Sequence, residues 1–222
     1  MKFCVWHADL KPSAVLLDPE LTVGLPQNLT AWTGCDALVH AIEAYCVPSF
    51  HPQCDGSALE ALRLISRYLP TAVYEGSNIE ARGGMQVGSC LAGIAFSKGL
   101  GLVHSISHMV GAEFNTHHGL TNAVVLPAVL NFNAPAIVDH IQPMAQAMRI
   151  ADTSFDGFYA AICQLLDDLS IPKTLAELGV PSDCTTRIAE KAMEDAATET
   201  NPRETSVSDL EDVINNALQV GR

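Results

Sequence analysis

The stretch Thr33-Gly-Cys-Asp-Ala-Leu-Val-His-Ala-Ile-Glu-Ala-Tyr45 sets the fold class of this chain. Its apolar residues recur at the three- and four-residue spacing of one helix face, which predicts an α-helix. Asp36 and His40 are four residues apart in it, so they share a face and lie about 6 Å apart at the backbone. One helix therefore offers a carboxylate and an imidazole to the same ion, although an ordinary Asp–His hydrogen bond is the simpler alternative for a single pair.

Helical spacing continues from this stretch to the end of the chain. The predicted windows, separated by Pro or Gly, are 27–47, 55–75, 79–97, 101–113, 119–132, 134–150, 153–169, 174–178, 183–198 and 209–219. Asp55 marks one helix start, and Ser208-Asp-Leu-Glu211 has the spacing of a capping box that would start the last helix near Asp209. The acidic residues between 190 and 212 are expected on solvated helix faces. Residues 25–222 are thus predicted to form one all-α domain.

The first 24 residues have a different pattern. Phe3-Cys-Val-Trp6 and Ala14-Val-Leu-Leu17 are short apolar runs, separated by Lys11-Pro-Ser13 and closed by Asp18-Pro19. This pattern predicts two short strands. We therefore divide the chain into residues 1–24, which hold these strands, and the all-α domain of residues 25–222.

The composition limits the class of partner. With 222 residues, 48% of them hydrophobic, the chain can bury a large core. Its 25 acidic and 12 basic residues give a net charge of -13, the wrong sign for binding phosphates or anionic lipid. Seven cysteines without a C-x-x-C pair favour a reducing compartment, and the N-terminus lacks the apolar region of a signal peptide. We expect a cytoplasmic protein without a nucleic-acid or membrane partner.

A second group of histidines lies in the middle of the chain. His104 and His108 are four residues apart, and His117-His118 open the next predicted helix. Each alone is most simply a hydrogen-bonded histidine at a helix end. Burying several imidazoles near a carboxylate without a metal would, however, leave many donors and acceptors unsatisfied. One carboxylate and three imidazoles suit Zn²⁺ or Fe²⁺ and leave room for a substrate oxygen.

Residues next to these groups have structural interpretations. Cys35 adjoins Asp36, but neighbouring helical residues point about 100° apart, so a buried small hydrophobe is expected there. Gly99 and Gly101 are not part of a G-x-G-x-x-G motif, and they are expected to permit a turn or close helix approach ahead of His104. H-E-x-x-H, P-loop and G-x-S-x-G motifs are absent.

Taken together, several motifs resemble the iron-containing (group III) alcohol dehydrogenases. They are Asp18-Pro-Glu-Leu-Thr22, Leu25-Pro26, the stretch 33–45, Val103-His-Ser-Ile-Ser-His108, His118-Gly-Leu-Thr-Asn-Ala-Val-Val-Leu-Pro127, Ile171-Pro-Lys-Thr-Leu-Ala-Glu-Leu-Gly179 and Asn201-Pro-Arg203. The resemblance covers essentially the whole chain.

The resemblance implies an all-α, dehydroquinate-synthase-like helical domain with a set of site residues. One aspartate and three histidines would hold Fe²⁺ or Zn²⁺, and the matching positions are Asp36, His40, His104 and His118. His108 would lie near the nicotinamide and substrate and relay the hydroxyl proton, and Phe96 would form a wall of the substrate pocket. The segment from Phe96 to His104 is one residue shorter than the common family form.

Members of that family also carry an α/β nucleotide-binding domain with a Gly-Gly-Gly-Ser phosphate loop ahead of this region, and this chain has no such loop. The resemblance therefore implies that the runs at 3–6 and 14–17 are strands left from that domain and that the chain is a truncated, catalytic-metal half. The expected activity of the complete enzyme, a homo-oligomer, is reversible oxidation of an alcohol to an aldehyde or ketone, with hydride transfer to NAD(P). The alternatives are a non-catalytic metal-binding or dimerisation α domain, and a metal-dependent lyase or cyclase of related fold or an unrelated all-α hydrolase.

Overall fold

Ten α-helices make up the described part of the chain, which in this computed structural model comprises residues 7–10 and 12–222. In chain order they are α1 Gln27–Cys46, α2 Pro52–Tyr74, α3 Ile79–Ala95, α4 Leu102–Phe114, α5 His118–Asn133, α6 Val138–Ala147, α7 Phe155–Asp168, α8 Thr185–Met193, α9 Ala196–Glu199 and α10 Val207–Gln219. Short 3₁₀ turns join several of them. The predicted all-α class is confirmed.

Helix α1 lies at the centre of the fold and packs against α2, α3 and α5. Leu38 and Val39 are neighbours in sequence and so lie on different faces of the helix, yet both are fully buried. A helix that is apolar on several faces must be covered on several sides. Cys35 is also fully buried, and burial raises the pKa of its thiol to about 12, as expected for a small core residue rather than a metal ligand.

Helices α4 and α5 form the second half of the site's framework. α4 packs against α5, α8 and α9, and it ends at Asn115, which adopts a left-handed conformation with φ of 53°. His117 then caps the N-terminus of α5, because its ring accepts a hydrogen bond from the Leu120 N–H. This sharp connection brings the N-terminus of α5 beside the body of α4, so that His104 and His118 can meet.

Two helix starts differ from the sequence-based prediction. α2 begins at Pro52 rather than Asp55, with the His51 ring accepting from the Cys54 N–H; proline suits the first turn of a helix, where its missing N–H costs nothing. α10 begins at Val207, and its capping box joins Ser206 and Asp209 rather than Ser208 and Glu211. A serine followed three residues later by an acidic residue occurs at 206–209 and again at 208–211, and the first of these pairs forms the cap.

The strand predicted at 14–17 is not seen. Residues 14–17 have no strand pairing, and Leu16 is 92% exposed. A strand needs a neighbour to satisfy its backbone groups, and none is present among residues 7–10 and 12–222. The run at 3–6 lies outside the described residues.

Within the described ranges, no single helix has the length and apolar character needed to cross a bilayer; residues 79–98 and 102–114 meet that test only as a pair, with a bend of 104° between them.

Candidate metal centre

Three side chains from three helices converge on one point. Asp36 comes from α1, His104 from α4 and His118 from α5. The Asp36 Oδ1 atom lies 3.7 Å from Nε2 of His104 and 3.6 Å from Nε2 of His118, and the three atoms all lie within 4.8 Å of one another. Three of the four ligands predicted from sequence are therefore brought together.

This convergence depends on close contact between α1 and α5. A Cβ atom on Gly119 would come within 2.3 Å of the Trp32 carbonyl oxygen and 3.0 Å of the Asp36 Cβ. Only glycine leaves room for this approach. Gly119 thereby allows its neighbour His118 to reach Asp36.

The two separations between Asp36 and the imidazole nitrogens fit a divalent ion. Zinc binds imidazole nitrogen and carboxylate oxygen at about 2.0–2.2 Å, and a tetrahedral arrangement at that radius separates two ligand atoms by about 3.4 Å. The observed oxygen–nitrogen distances of 3.6 and 3.7 Å are close to this value. Nitrogen and oxygen donors of this kind accept both Zn²⁺ and Fe²⁺.

His40, the fourth predicted ligand, lies beside the other three without joining them. Its ring stacks on His104 with a centroid distance of 4.6 Å and on Phe96 at 5.5 Å. Its ring nitrogens are not part of the group of converging atoms. The position of His40 next to His104 leaves its assignment as a ligand a prediction.

A buried carboxylate contacts His104 on the side of the ring opposite Asp36. Oε2 of Glu43 lies 2.5 Å from Nδ1 of His104, and Oε1 accepts the Val103 N–H at 2.7 Å. Burial raises the pKa of Glu43 to about 7, against the opposing effect of these backbone hydrogen bonds. Because Nδ1 is engaged by Glu43, Nε2 is the nitrogen that faces Asp36. Gly101 leaves space for the carboxylate, since a Cβ there would lie 2.9 Å from Glu43 Oε1, in agreement with its predicted role.

His118 is oriented in a similar way by a hydroxyl. Ser107 Oγ donates to the His104 carbonyl oxygen and lies 3.3 Å from Nδ1 of His118. With its own proton committed to that carbonyl, the hydroxyl acts as the acceptor for the Nδ1 proton. Nε2 of His118 then carries a lone pair toward Asp36, which is the tautomer that metal binding requires.

The side chain of Asn122 lies against all three converging atoms. Its Nδ2 is 2.6 Å from Asp36 Oδ1 and 3.2 Å from Nε2 of both His104 and His118. The residue is fully buried, and its Oδ1 has no hydrogen-bond partner. Sequence analysis did not identify Asn122, although its position one turn after His118 was a usable signal.

A cavity of about 310 Å³ adjoins this group of side chains. Phe96, Leu100, His108, Asp195 and Ala197 are among its lining residues, so the predicted substrate-pocket residue Phe96 and the predicted catalytic residue His108 share one space. The ring of His108 stacks on that of His118 at 5.4 Å between centroids. The cavity therefore opens beside the candidate metal ligands.

Asp195 is the partner of His108. Its Oδ2 lies 2.9 Å from His108 Nδ1, and its Oδ1 accepts the Ala197 N–H. Burial opposes ionisation of this carboxyl, but the hydrogen bonds from His108 and Ala197 outweigh it and hold the pKa of Asp195 below its usual value. The side chain is only 10% exposed, so the prediction that the acidic residues near the C-terminus all lie on solvated faces is wrong at this position.

Comparisons with known proteins agree along the length of the chain. Residues 30–218 match the model of the "Fe-containing alcohol dehydrogenase family, C-terminal". The NAD-dependent methanol dehydrogenase of Bacillus methanolicus is 39% identical over 225 residues, covering 98% of this chain and 59% of that protein. The 1,3-propanediol dehydrogenase of Klebsiella pneumoniae is 38% identical, covering 98% and 58%.

Solved structures give the same result. The crystal structure of a 1,3-propanediol oxidoreductase superposes with a TM-score of 0.88 at 38% identity, covering 90% of this chain and 55% of the other. An iron-containing alcohol dehydrogenase from Thermococcus thioreducens superposes with a TM-score of 0.89 at 29% identity, covering 96% and 57%.

The fold and these matches define an all-α domain of the metal-dependent dehydrogenase class. The chain belongs to the iron-containing alcohol dehydrogenase family and corresponds to its C-terminal region. It spans little more than half the length of the curated relatives it matches.

Proposed function

We propose that this chain is the metal-binding half of an NAD(P)-dependent alcohol dehydrogenase. The observation that supports this most directly is the convergence of Asp36, His104 and His118 beside a cavity lined by His108 and Phe96. The relatives named above act, as their names state, on methanol and 1,3-propanediol. A short-chain alcohol and its aldehyde are therefore the proposed substrate and product.

The proposed ligands are Asp36, His40, His104 and His118, and the proposed metal is Fe²⁺ or Zn²⁺. When bound, such an ion polarises a substrate oxygen and lowers the pKa of an alcohol. His40 is included because its ring lies beside the group, 4.6 Å from that of His104 between centroids. Glu43 and Ser107 hold the other two imidazoles with Nε2 available, which lowers the cost of assembling the site.

The chain's own residues handle the substrate and the proton. The apolar wall formed by Phe96, Leu100 and Ala197 suits a short carbon chain and excludes water from it. His108 is held through Nδ1 by Asp195, which leaves Nε2 to accept the hydroxyl proton as alcohol is oxidised. Asp195 then stabilises the protonated ring. The predicted contact of His108 with a nicotinamide, the homo-oligomeric state and the cytoplasmic location stay predictions.

Metal binding by the chain itself tests the proposal. After chelation and reloading with Zn²⁺ or Fe²⁺ under anaerobic conditions, elemental analysis should give one ion per chain. His104→Ala should lose it, because the ring is buried at the centre of the group. His7→Ala is the matched control, since its side chain is 66% exposed and should not change the metal content. Full metal content in His104→Ala, or none in the unaltered chain, overturns the proposal.

A non-catalytic metal-binding or dimerisation domain is the second candidate. It shares with the first candidate the convergence of Asp36, His104 and His118, which indicates metal binding and does not by itself require turnover. Bound metal without turnover of any short-chain alcohol in the presence of NAD⁺ or NADP⁺ would support this candidate over the first.

A further inference from the structure

The amide of Asn122 lies where three lone pairs meet. Its Nδ2 is within 3.2 Å of Asp36 Oδ1, His104 Nε2 and His118 Nε2. Each of these atoms is an acceptor when His104 and His118 are in the tautomers that Glu43 and Ser107 favour. An NH₂ group carries two donors, so it can serve all three acceptors with one bond shared. The amide thus delivers partial positive charge to the same atoms that a cation would bind.

Without this amide, the metal-free site would be costly. A carboxylate oxygen and two imidazole lone pairs would face one another at 3.6 and 3.7 Å. His104 is buried, whereas Asp36 and His118 are 24% and 27% exposed, so water can solvate only part of the group. Buried acceptors without donors destabilise a fold. In the metal-free chain, the amide therefore supplies the donors that these acceptors need.

The oxygen at the other end of the same amide shows that placing the amino group here costs a hydrogen bond. Oδ1 of Asn122 is buried and has no hydrogen-bond partner, which is uncommon for a buried side-chain oxygen. A side chain placed only to fill space in α5 would need no polar group at all. The fold tolerates the unpaired oxygen because the amino group is needed at the three acceptors.

We propose that Asn122 is a placeholder that occupies the three acceptors in the metal-free state and gives them up when the metal binds. The inference rests on the proposed metal role of Asp36, His104 and His118. It assigns Asn122 a positioning role that opposes metal binding slightly while keeping the metal-free site assembled. A residue that ligates the metal, or that orients a ligand for it, would have the opposite effect on affinity.

The test compares Asn122→Leu with the unaltered chain, because leucine has the same number and branching of side-chain heavy atoms as asparagine and has no donor. Zn²⁺ affinity is measured by competition with a chelator, and the melting temperature is measured with and without saturating Zn²⁺. The metal-free variant should melt several degrees lower, by about 3–8 °C. Its dissociation constant for Zn²⁺ should be about 3- to 10-fold lower, since the metal no longer competes with a hydrogen bond.

Asn133→Leu is the matched control, because Asn133 is another buried asparagine and pairs with Asn201 away from the three acceptors. It should lower the melting temperature equally with and without Zn²⁺ and leave the affinity unchanged. Asn122→Ala is the second variant in case leucine prevents folding; it should also bind Zn²⁺ more tightly.

The outcomes separate the two proposals. No Zn²⁺ binding by the unaltered chain contradicts the proposed function. Binding by the unaltered chain, with equal or weaker affinity in Asn122→Leu and Asn122→Ala, overturns the placeholder role alone. Failure of both variants to fold at saturating Zn²⁺ overturns it as well, because the ion should then replace the missing amide.

Discussion

Oε2 of Glu43 lies 2.5 Å from Nδ1 of His104, across 61 residues of sequence. The same carboxylate accepts the N–H of Val103 at the start of α4, so one side chain of α1 fixes both the imidazole and the helix that carries it. Carboxylates behind metal-bound imidazoles raise ligand basicity and set the tautomer. Glu43 should therefore act on metal affinity through His104.

Glu43→Gln should weaken Zn²⁺ binding about 10- to 100-fold, the usual effect of removing such a partner. Chelator competition measures it. Glu60→Gln is the control, because Glu60 pairs with Arg63 on the surface of α2. Unchanged affinity in Glu43→Gln would show that His104 needs no support from this carboxylate.

Asp195→Asn should release the ring of His108 while leaving the metal content unchanged. The hydrogen bond of 2.9 Å from Nδ1 to the carboxylate holds the Nδ1 proton in place. In the unaltered chain that proton should exchange slowly and be visible by NMR; in the variant it should be lost to exchange or move to Nε2. Asp156→Asn, at an exposed residue of α7, should have no such effect. A slowly exchanging Nδ1 proton that persists in Asp195→Asn would contradict the positioning role.

Gly119→Ala should disturb both stability and metal binding. The new methyl group would overlap the Trp32 carbonyl oxygen, only 2.3 Å away, and force α1 and α5 apart. Overpacking of this kind costs about 1–3 kcal/mol, which urea unfolding would report, and it moves His118 away from Asp36. Gly24→Ala has open space around the added methyl, so its stability and Zn²⁺ content should match the unaltered chain. Full Zn²⁺ affinity in Gly119→Ala would show that the close approach is not needed.

Glu113→Gln should lower stability in a pH-dependent way. Glu113 on α4 pairs with Arg187 and Lys191 on α8, and hydrogen bonding by Arg187 holds the pKa of Glu113 below its ordinary value of 4.5. A carboxyl with a lowered pKa stabilises the fold above its unfolded-state pKa, and this contribution is lost as the pH falls through the folded-state value. The pair is partly exposed, so the difference should be about 0.5–1 kcal/mol near pH 7. It should shrink toward zero near pH 3.

Urea unfolding of Glu113→Gln at several pH values measures this contribution. Glu190→Gln provides the control, since Glu190 is an exposed residue of α8. A stability difference for Glu113→Gln that does not change with pH would assign its effect to packing rather than charge.

NADH should show no saturable binding to this chain alone. The sequence contains no Gly-Gly-Gly-Ser phosphate loop, and the cavity beside His108 holds about 310 Å³, too little for a whole dinucleotide. Nicotinamide fluorescence titration is the measurement. Micromolar affinity would mean that the helices carry a dinucleotide site of their own.

The helices and the candidate ligands were accessible from sequence because both depend on local spacing. Asp36 and His40 share a turn of α1, and His104 and His108 share a turn of α4, so the 3.6-residue period places them on common faces. The convergence of Asp36 and His118 is not local, and the sequence indicated it only through the family resemblance.

The residues missed by sequence analysis depend on distant partners. Asp195 was expected in solvent with its acidic neighbours, but its side chain is only 10% exposed and pairs with His108, 87 residues earlier. The same reason explains the apolar run at 14–17, whose composition favours a strand while nothing in the described residues pairs with it. The local sequence pattern indicates which secondary structure a segment can form, and contacts with distant residues decide which one it adopts.

The three converging side chains come from α1, α4 and α5, so an ion bound between them would tie residue 36 to residue 118. Such a cross-link cannot form until these three helices have docked, because residues as distant in sequence as Asp36 and Asn122 must first come into contact. The bound ion would therefore change the rate of folding little. It would mainly slow unfolding, since interactions absent from the transition state act on the unfolding rate. The metal would make the domain long-lived against proteolysis and heat to a degree that equilibrium stability alone does not measure.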